Sequence, residues 1–157
     1  MTTIGATGHQ DISPAVATYV KKSLRDHLRS GESRSGYTCL AKGADQIFAA
    51  ELLGCGLSLH VIIPSRDYET TFPKQDRPRY RELLAQATEL IHCNSETASE
   101  EAYWRAGKAV VNRSDRLIAV WDGAPARGLG GTADIVKYAQ QTGKSVTVIW
   151  PLGVRRP

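Results

Sequence analysis

The sequence has 157 residues, of which 41% are hydrophobic and 23% are charged, proportions that are typical of a globular protein. This length suits one domain, so we expect residues 1–157 to fold as a single unit. No apolar run approaches the roughly 18–20 residues that cross a bilayer, and the first residues lack the basic and apolar segments of a signal peptide. We therefore expect a cytoplasmic protein with no membrane partner.

The formal net charge of +4 and the sequence pI of about 9.1 favour anionic partners. The basic residues are scattered, and near an end of the chain only Arg155 and Arg156 stand together. Because no basic stripe is present, the pattern favours a phosphate-bearing small molecule over DNA as the partner. The three cysteines are odd in number and form no CxxC pair, so we expect no metal site, redox dithiol or cofactor.

Strand and helix patterns alternate along the whole chain. In chain order, the first half predicts a strand over Thr2–Ala6, a helix that Ser13 caps and Pro14 begins, a strand over Tyr37–Ala41, a helix that Gly43 and Asp45 open, and a strand over Leu57–Ile63. The second half predicts a helix around Tyr80–Ala87, a strand over Leu90–Cys93, a helix over about Ala98–Asn112, a strand over Arg116–Trp121, a helix over Thr132–Gln141, and a strand over Ser145–Trp150.

Near-continuous apolar strands that alternate with helices are typical of a parallel sheet buried on both faces. The fold class is therefore predicted to be α/β, a Rossmann-like three-layer sandwich with a mainly parallel sheet of about six strands. In such sheets ligands bind beyond the carboxyl ends of the strands. Unusual loops follow three of the strands, so we expect Thr2–Ala6 to lie between Tyr37–Ala41 and Arg116–Trp121, where one ligand can touch all three loops.

The first two loops combine small and polar residues. Thr7, Gly8 and His9 follow the first strand, where small residues let a ligand approach the backbone, although an ordinary tight turn would look the same. Gly43 precedes a helix N-terminus, whose free N–H groups favour anions. Asp45 lies in the first turn of that helix, and it either contacts the ligand or only complements the helix dipole.

The third loop, Asp122–Thr132, joins the strongest strand to a helix. Its glycines cluster just before the helix start, where free N–H groups and the helix dipole bind phosphates, although a flexible connector is the alternative. It is not a Walker loop, because no lysine follows the glycines, and it lacks the order G-x-G-x-x-G. The ligand-binding residues predicted in this loop are Asp122, Gly123, Gly128, Gly130, Gly131 and Thr132.

Several other side chains have two interpretations. Tyr68 and Phe72 either stack on a base or pack locally. Arg105, Lys108 and Asn112 precede the strongest strand on one helix, where they either line the site or form a solvated face.

Five stretches, in order and spacing, resemble the SLOG superfamily, which is named for the Smf/DprA and LOG (lonely guy) proteins. They are Ile4–His9, Leu40–Asp45, Val61–Ser65, Ser114–Gly123 and Gly130–Asp134. The resemblance implies a Rossmann-like fold that binds nucleotides or nucleotide-derived ligands, in some members as a sensor. The LOG branch hydrolyses nucleoside monophosphates to free base and ribose 5-phosphate, and it implies a homodimer.

The LOG motif is P-G-G-x-G-T-x-x-E, with an arginine on the preceding helix, and this sequence departs from it. Leu129 stands at the position of the second glycine and Ile135 at that of the glutamate, while Asp134 comes one residue earlier. Arg105 is near the position of the arginine. We therefore expect a nucleotide-binding or nucleotide-sensing domain. The alternative is a phosphoribohydrolase in which Asp134 and Arg105 are catalytic and a carboxylate stabilises the charge that develops on ribose.

Overall fold

The computed structural model describes residues 2–126 and 128–157. Within them, six strands are β1 (Thr2–Gly8), β2 (Ser33–Thr38), β3 (Ser58–Ile63), β4 (Glu89–His92), β5 (Arg116–Val120) and β6 (Ser145–Ile149). The α-helices are α1 (Pro14–Ser30), α2 (Ala44–Gly54), α3 (Arg77–Leu84), α4 (Glu100–Arg113) and α5 (Thr132–Gln141). Two short 3-10 helices, Tyr68–Thr71 and Lys74–Asp76, precede α3. No helix in the described ranges is both long and apolar enough to cross a membrane.

The strands form one sheet in the order β4-β3-β2-β1-β5-β6, and every neighbouring pair is parallel. This arrangement confirms the predicted α/β class. It also confirms that the first strand lies between the second and the fifth. The loops that follow β1, β2 and β5 therefore meet at one edge of the sheet.

The helices form two outer layers, and each layer packs on the sheet through its own hydrophobic cluster. One cluster contains buried residues of α1, α2 and α3, such as Leu24, Phe48 and Tyr80. The other contains Val110 of α4 and Ile135 of α5. Since strand side chains alternate between the faces of a sheet, the strands contribute to both clusters. The result is the three-layer sandwich that the sequence predicts.

Local signals in the sequence determine where the first helix begins. The Ser13 hydroxyl accepts a hydrogen bond from the Val16 N–H at 3.3 Å, and Pro14 occupies the first turn of α1. Both features are the ones predicted. Proline suits the first turn because the N–H groups there have no partner within the helix, and proline has no N–H.

The second strand begins and ends earlier than the sequence pattern indicates. The pattern predicts Tyr37–Ala41, whereas β2 covers Ser33–Thr38. The strand cannot continue to Ala41 because Leu40 adopts a left-handed backbone conformation, with φ of 57°. Its first half carries no strand signal because Ser33–Gly36 contains no apolar side chain. At Gly36 the space of a side chain is filled instead by Phe48 and Leu52 of α2.

Candidate functional site

A cavity of about 620 Å³ lies at the carboxyl ends of β1, β2 and β5. This volume is within the range of small-molecule sites, about 300–1,000 Å³. Most of the predicted ligand-binding residues line it: Thr7, Gly8, His9, Asp45, Gly128, Gly130, Gly131 and Thr132. The other predicted site residues lie outside its wall: Gly43, Arg105, Asp122, Gly123 and Asp134.

The loops that follow β1 and β2 are packed directly against each other. The Ala44 N–H donates to the His9 carbonyl at 3.1 Å, and the His9 N–H donates to the Val120 carbonyl at 3.1 Å. Gly43 has φ of +87°, and a Cβ at this position would overlap the Gln10 carbonyl. Gly43 is therefore required for the contact between the two loops.

Asp45 is a buried carboxyl group that also reaches the cavity. Only 8% of the residue is exposed, and its Oδ2 accepts a hydrogen bond from the Ala41 N–H at 3.2 Å. Burial raises the pKa of Asp45 to about 7, against the opposing effect of hydrogen bonds from Ala41, Thr38 and Cys39. Asp45 thus holds the β2–α2 loop in addition to lying in the first turn of α2.

The glycine-rich loop leads into α5 without a side-chain cap. The Gly131 N–H donates to the Gly128 carbonyl at 3.2 Å, and the Gly130 N–H donates to Asp134 Oδ2 at 3.2 Å. These two N–H groups are therefore engaged within the loop. The next N–H groups, beginning at Thr132, lie in the first turn of α5, where a helix offers no backbone acceptor. Among the described residues, these backbone N–H groups are the ones that this end of α5 can offer to an anion.

Close packing explains why two positions of the loop need glycine. Gly130 has φ of +82°, and a Cβ there would lie 2.9 Å from the Trp104 backbone nitrogen of α4. A Cβ on Gly131 would lie 2.8 Å from that of Ala126. The sequence places these glycines at a helix start that binds phosphate, and the structure adds that the loop needs them for its own conformation. Arg127, which belongs to this loop, lies outside the described residues.

The structure does not bring the two candidate catalytic residues together at the cavity. The Asp134 carboxylate is directed to Gly130, as described above. Arg105 is exposed on α4, where its Nε lies 3.1 Å from Glu101 Oε1. Tyr103 and Gly107 of α4 face the cavity, and Arg105 is about 160° around the helix from both.

The contacts of four further side chains show which of their two interpretations applies. Tyr68 and Phe72 are buried and pack on each other, with ring centroids 5.2 Å apart, so local packing dominates although both also reach the cavity. Lys108 lies over the Trp104 ring, and Asn112 accepts a hydrogen bond from the Tyr138 hydroxyl. Lys108 and Asn112 therefore belong to the α4–α5 surface.

A buried network of three side chains flanks the cavity, and sequence reasoning missed its third member, Arg156. His9 Nε2 lies 3.1 Å from Asp122 Oδ1, and Arg156 Nε lies 3.6 Å from Asp122 Oδ2. Burial raises the pKa of Asp122, but hydrogen bonds from the Ala124 N–H and from His9 outweigh it and leave the pKa below its ordinary value. Arg156 lines the cavity. Its position depends on how the chain turns after β6, which no local pattern specifies.

Among the described residues, no group of three His, Cys, Asp or Glu side chains could hold a metal ion. Burial raises the pKa of the Cys39 thiol, which borders the cavity, well above its ordinary value, so the thiol is protonated at neutral pH.

No family model matches the chain, and no curated protein matches it in sequence. Solved structures do match it. DNA processing protein A (DprA) of Helicobacter pylori, described with its single-stranded DNA binding mode, has a TM-score of 0.73 at 17% identity, over 99% of this chain and 68% of that one.

DprA of Streptococcus pneumoniae has a TM-score of 0.68 at 18% identity, over 94% of this chain, which spans 50% of that protein. The molybdenum cofactor carrier protein of Chlamydomonas reinhardtii has a TM-score of 0.60 at 15% identity, over 94% of this chain and 75% of that one. At these identities the likeness concerns the fold, and the chain has the Rossmann-like fold of DprA and the carrier protein, as the resemblance to the SLOG superfamily implies.

Proposed function

We propose that this chain binds a nucleotide or nucleotide derivative in the cavity, with a phosphate at the N-terminus of α5. The observation that carries the proposal is the convergence of three loops on one cavity of about 620 Å³ that includes an uncapped helix start. Backbone N–H groups and the helix dipole together attract an anion at such a position.

The rest of the cavity suits the other parts of a nucleotide. Apolar side chains of Pro64, Phe72, Val110 and Ile135 line it, and Thr7 lies at the end of β1. Mostly apolar walls with a few directional polar groups are typical of sites that bind a base and a sugar. The positive net charge of the chain further favours an anionic ligand.

Binding without cleavage is the better-supported form of the proposal. The phosphoribohydrolase alternative needs a carboxylate and an arginine near the ribose, whereas Asp134 and Arg105 both lie outside the cavity wall. Incubation with nucleoside monophosphates, followed by chromatography for free base, tests the alternative directly. Release of free base at a rate proportional to protein concentration would support the phosphoribohydrolase alternative.

The binding proposal is tested by calorimetric titration with AMP, ADP and adenosine, preceded by a thermal-shift screen. A ligand that binds only the folded state at 100 times its Kd adds about 2.7 kcal/mol to the free energy of unfolding. Thr132→Val removes a hydroxyl at the start of α5 while keeping the shape of the side chain. We expect this variant to bind ADP about 3- to 10-fold more weakly, the loss of one hydrogen bond.

Thr142→Val is the matched control, because Thr142 lies at the opposite end of α5 and its hydroxyl bonds only to carbonyls of that helix among the described residues. It should leave the affinity for ADP unchanged. A wild-type protein that binds none of the three ligands would refute the proposed function.

Single-stranded DNA is the second candidate ligand. The scattered basic residues argue against DNA, but the likeness to Helicobacter pylori DprA, described with its single-stranded DNA binding mode, favours it. Competition separates the candidates: a mononucleotide that displaces a labelled oligothymidylate occupies the same site, and one that does not occupies another.

A further inference from the structure

The segment that follows β6 turns back over the cavity. We call residues 150–157 the β6 extension. Trp150 Nε1 donates to the Val154 carbonyl at 2.7 Å, which closes a turn. The Trp150 ring also meets the His9 ring edge-on, with centroids 5.3 Å apart. This turn returns Arg156 to the carboxyl ends of β1 and β5.

Arg156 is a largely buried cation. Its side chain is 14% exposed, and its Nη2 donates to the Pro125 carbonyl at 2.8 Å. Its backbone N–H donates to Asp122 Oδ2 at 3.4 Å. Burying a charged side chain costs free energy unless ion pairs and hydrogen bonds compensate for the lost water. The partners of the Arg156 guanidinium therefore show whether it can bind a further group.

The pairing of Arg156 with Asp122 is loose. The 3.6 Å between Nε and Oδ2 is too long for a hydrogen bond, and Asp122 Oδ1 is already engaged by His9 and the Ala124 N–H. A guanidinium has five N–H donors. Among the described residues, Nη1 and Nη2 each have one acceptor, His9 Nδ1 and Pro125 O, and the Nε–H faces Asp122. One N–H of Nη1 and one of Nη2 are therefore left for another partner.

Lys42 also contributes a cation to the wall formed by the described residues, but it is less suited to hold a ligand tightly. The Lys42 side chain is 58% exposed, and its Nζ lies 3.3 Å from Asp76 Oδ2. Solvent screening weakens an exposed charge, whereas the buried fork of Arg156 is pre-positioned and matches the oxygens of a phosphate.

We propose that Arg156 binds a phosphate group of the ligand, which makes the β6 extension part of the binding site. This inference rests on the proposed function and names a residue and a ligand class for it: a phosphorylated ligand, whose charge Arg156 recognises by a bidentate contact. Asp122 and His9 then act as positioning residues that orient Arg156.

The test compares Arg156→Gln with Arg155→Gln by calorimetric titration with ADP and adenosine. Arg155 is the matched control, since it adjoins Arg156 but is exposed and outside the cavity wall. We expect Arg156→Gln to weaken ADP binding about 10- to 100-fold, as for loss of a charged hydrogen bond, and to leave adenosine binding within about twofold. Arg155→Gln should match the wild type for both ligands.

Wild-type ADP affinity in a folded Arg156→Gln variant would overturn this inference and leave the proposed function intact. Failure of the wild type to bind any nucleotide would overturn both. If Arg156→Gln does not fold, limited trypsin digestion of the wild type decides. Saturating ADP should slow cleavage after Arg155, because the bound phosphate holds Arg156, and an unchanged rate would overturn the inference.

Discussion

Asp134 stabilises the loop that precedes its helix, because its carboxylate accepts the Gly130 N–H. Asp134→Ala leaves that N–H without its acceptor, so we expect the free energy of unfolding to fall by about 1–3 kcal/mol in urea denaturation. Asp134→Asn keeps an acceptor oxygen and should cost less. An Asp134→Ala variant with unchanged stability and lost nucleotide affinity would instead indicate contact with the ligand.

Asp45 should make the protein less stable as the pH rises. Its pKa in the folded protein is about 7, above the value of about 3.9 for an unfolded chain, so the folded state binds more protons between these values. The free energy of unfolding therefore decreases as the pH rises from about 4 to about 7, by at most ~1.4 kcal/mol per pH unit from this group.

The measurement is urea denaturation of the wild type and Asp45→Asn across this pH range. Asn resembles the protonated carboxyl in size, so the variant should lose this part of the pH dependence. Parallel pH profiles for the two proteins would show that the pKa of Asp45 does not differ between the folded and unfolded states.

At the scale of elements, α4 and α5 approach closely at Gly107. A Cβ on Gly107 would overlap the Cδ1 atom of Ile135, which is buried. Gly107→Ala gains helix propensity but creates this overlap, and Ile135→Val removes the overlapping methyl. We expect the double variant to be more stable than the sum of the single variants predicts, with a coupling of about 0.5–3 kcal/mol in urea denaturation. Additive effects would mean that the helices adjust freely.

Elements could be predicted from the sequence wherever apolar spacing and caps agree. Ser13 and Pro14 marked the start of α1, and the apolar run of β5 marked a buried strand. The start of β2 cannot be predicted, because Ser33–Gly36 has no apolar side chain and side chains of α2 fill the space at Gly36 instead. A signal that depends on a neighbouring element is not present in local spacing.

At the scale of the whole molecule, the position of the cavity could be predicted and its chemistry only in part. The loops that follow neighbouring parallel strands lie side by side, so the order of the strands predicts where the cavity lies. The sequence predicts Asp45 as a ligand-binding candidate, but its burial and its hydrogen bond from the Ala41 N–H depend on tertiary packing. The approach of Arg156 to the cavity depends on tertiary packing too, so the sequence assigns it no role. The single-domain organisation and the homodimer stay predictions.

From the net charge of the chain we predict weak, non-specific binding to single-stranded DNA. A net charge of +4 without a basic stripe should give non-specific binding to an oligothymidylate, with a Kd of about 10⁻⁴–10⁻⁶ M near physiological salt. Fluorescence anisotropy across a salt series measures this affinity, which should fall steeply as salt displaces the phosphate contacts. A nanomolar Kd that changes little with salt would indicate a dedicated DNA site.

The central position of β1 has a consequence for how the molecule folds. Ile4 pairs with Arg116 across more than a hundred residues of sequence, so this ladder closes a long loop. Contacts of such separation form slowly, and the half-sheet of β1 to β4 can assemble from shorter-range pairings first. The cavity exists only once β5 has docked. A ligand that binds there should therefore slow unfolding far more than it accelerates folding.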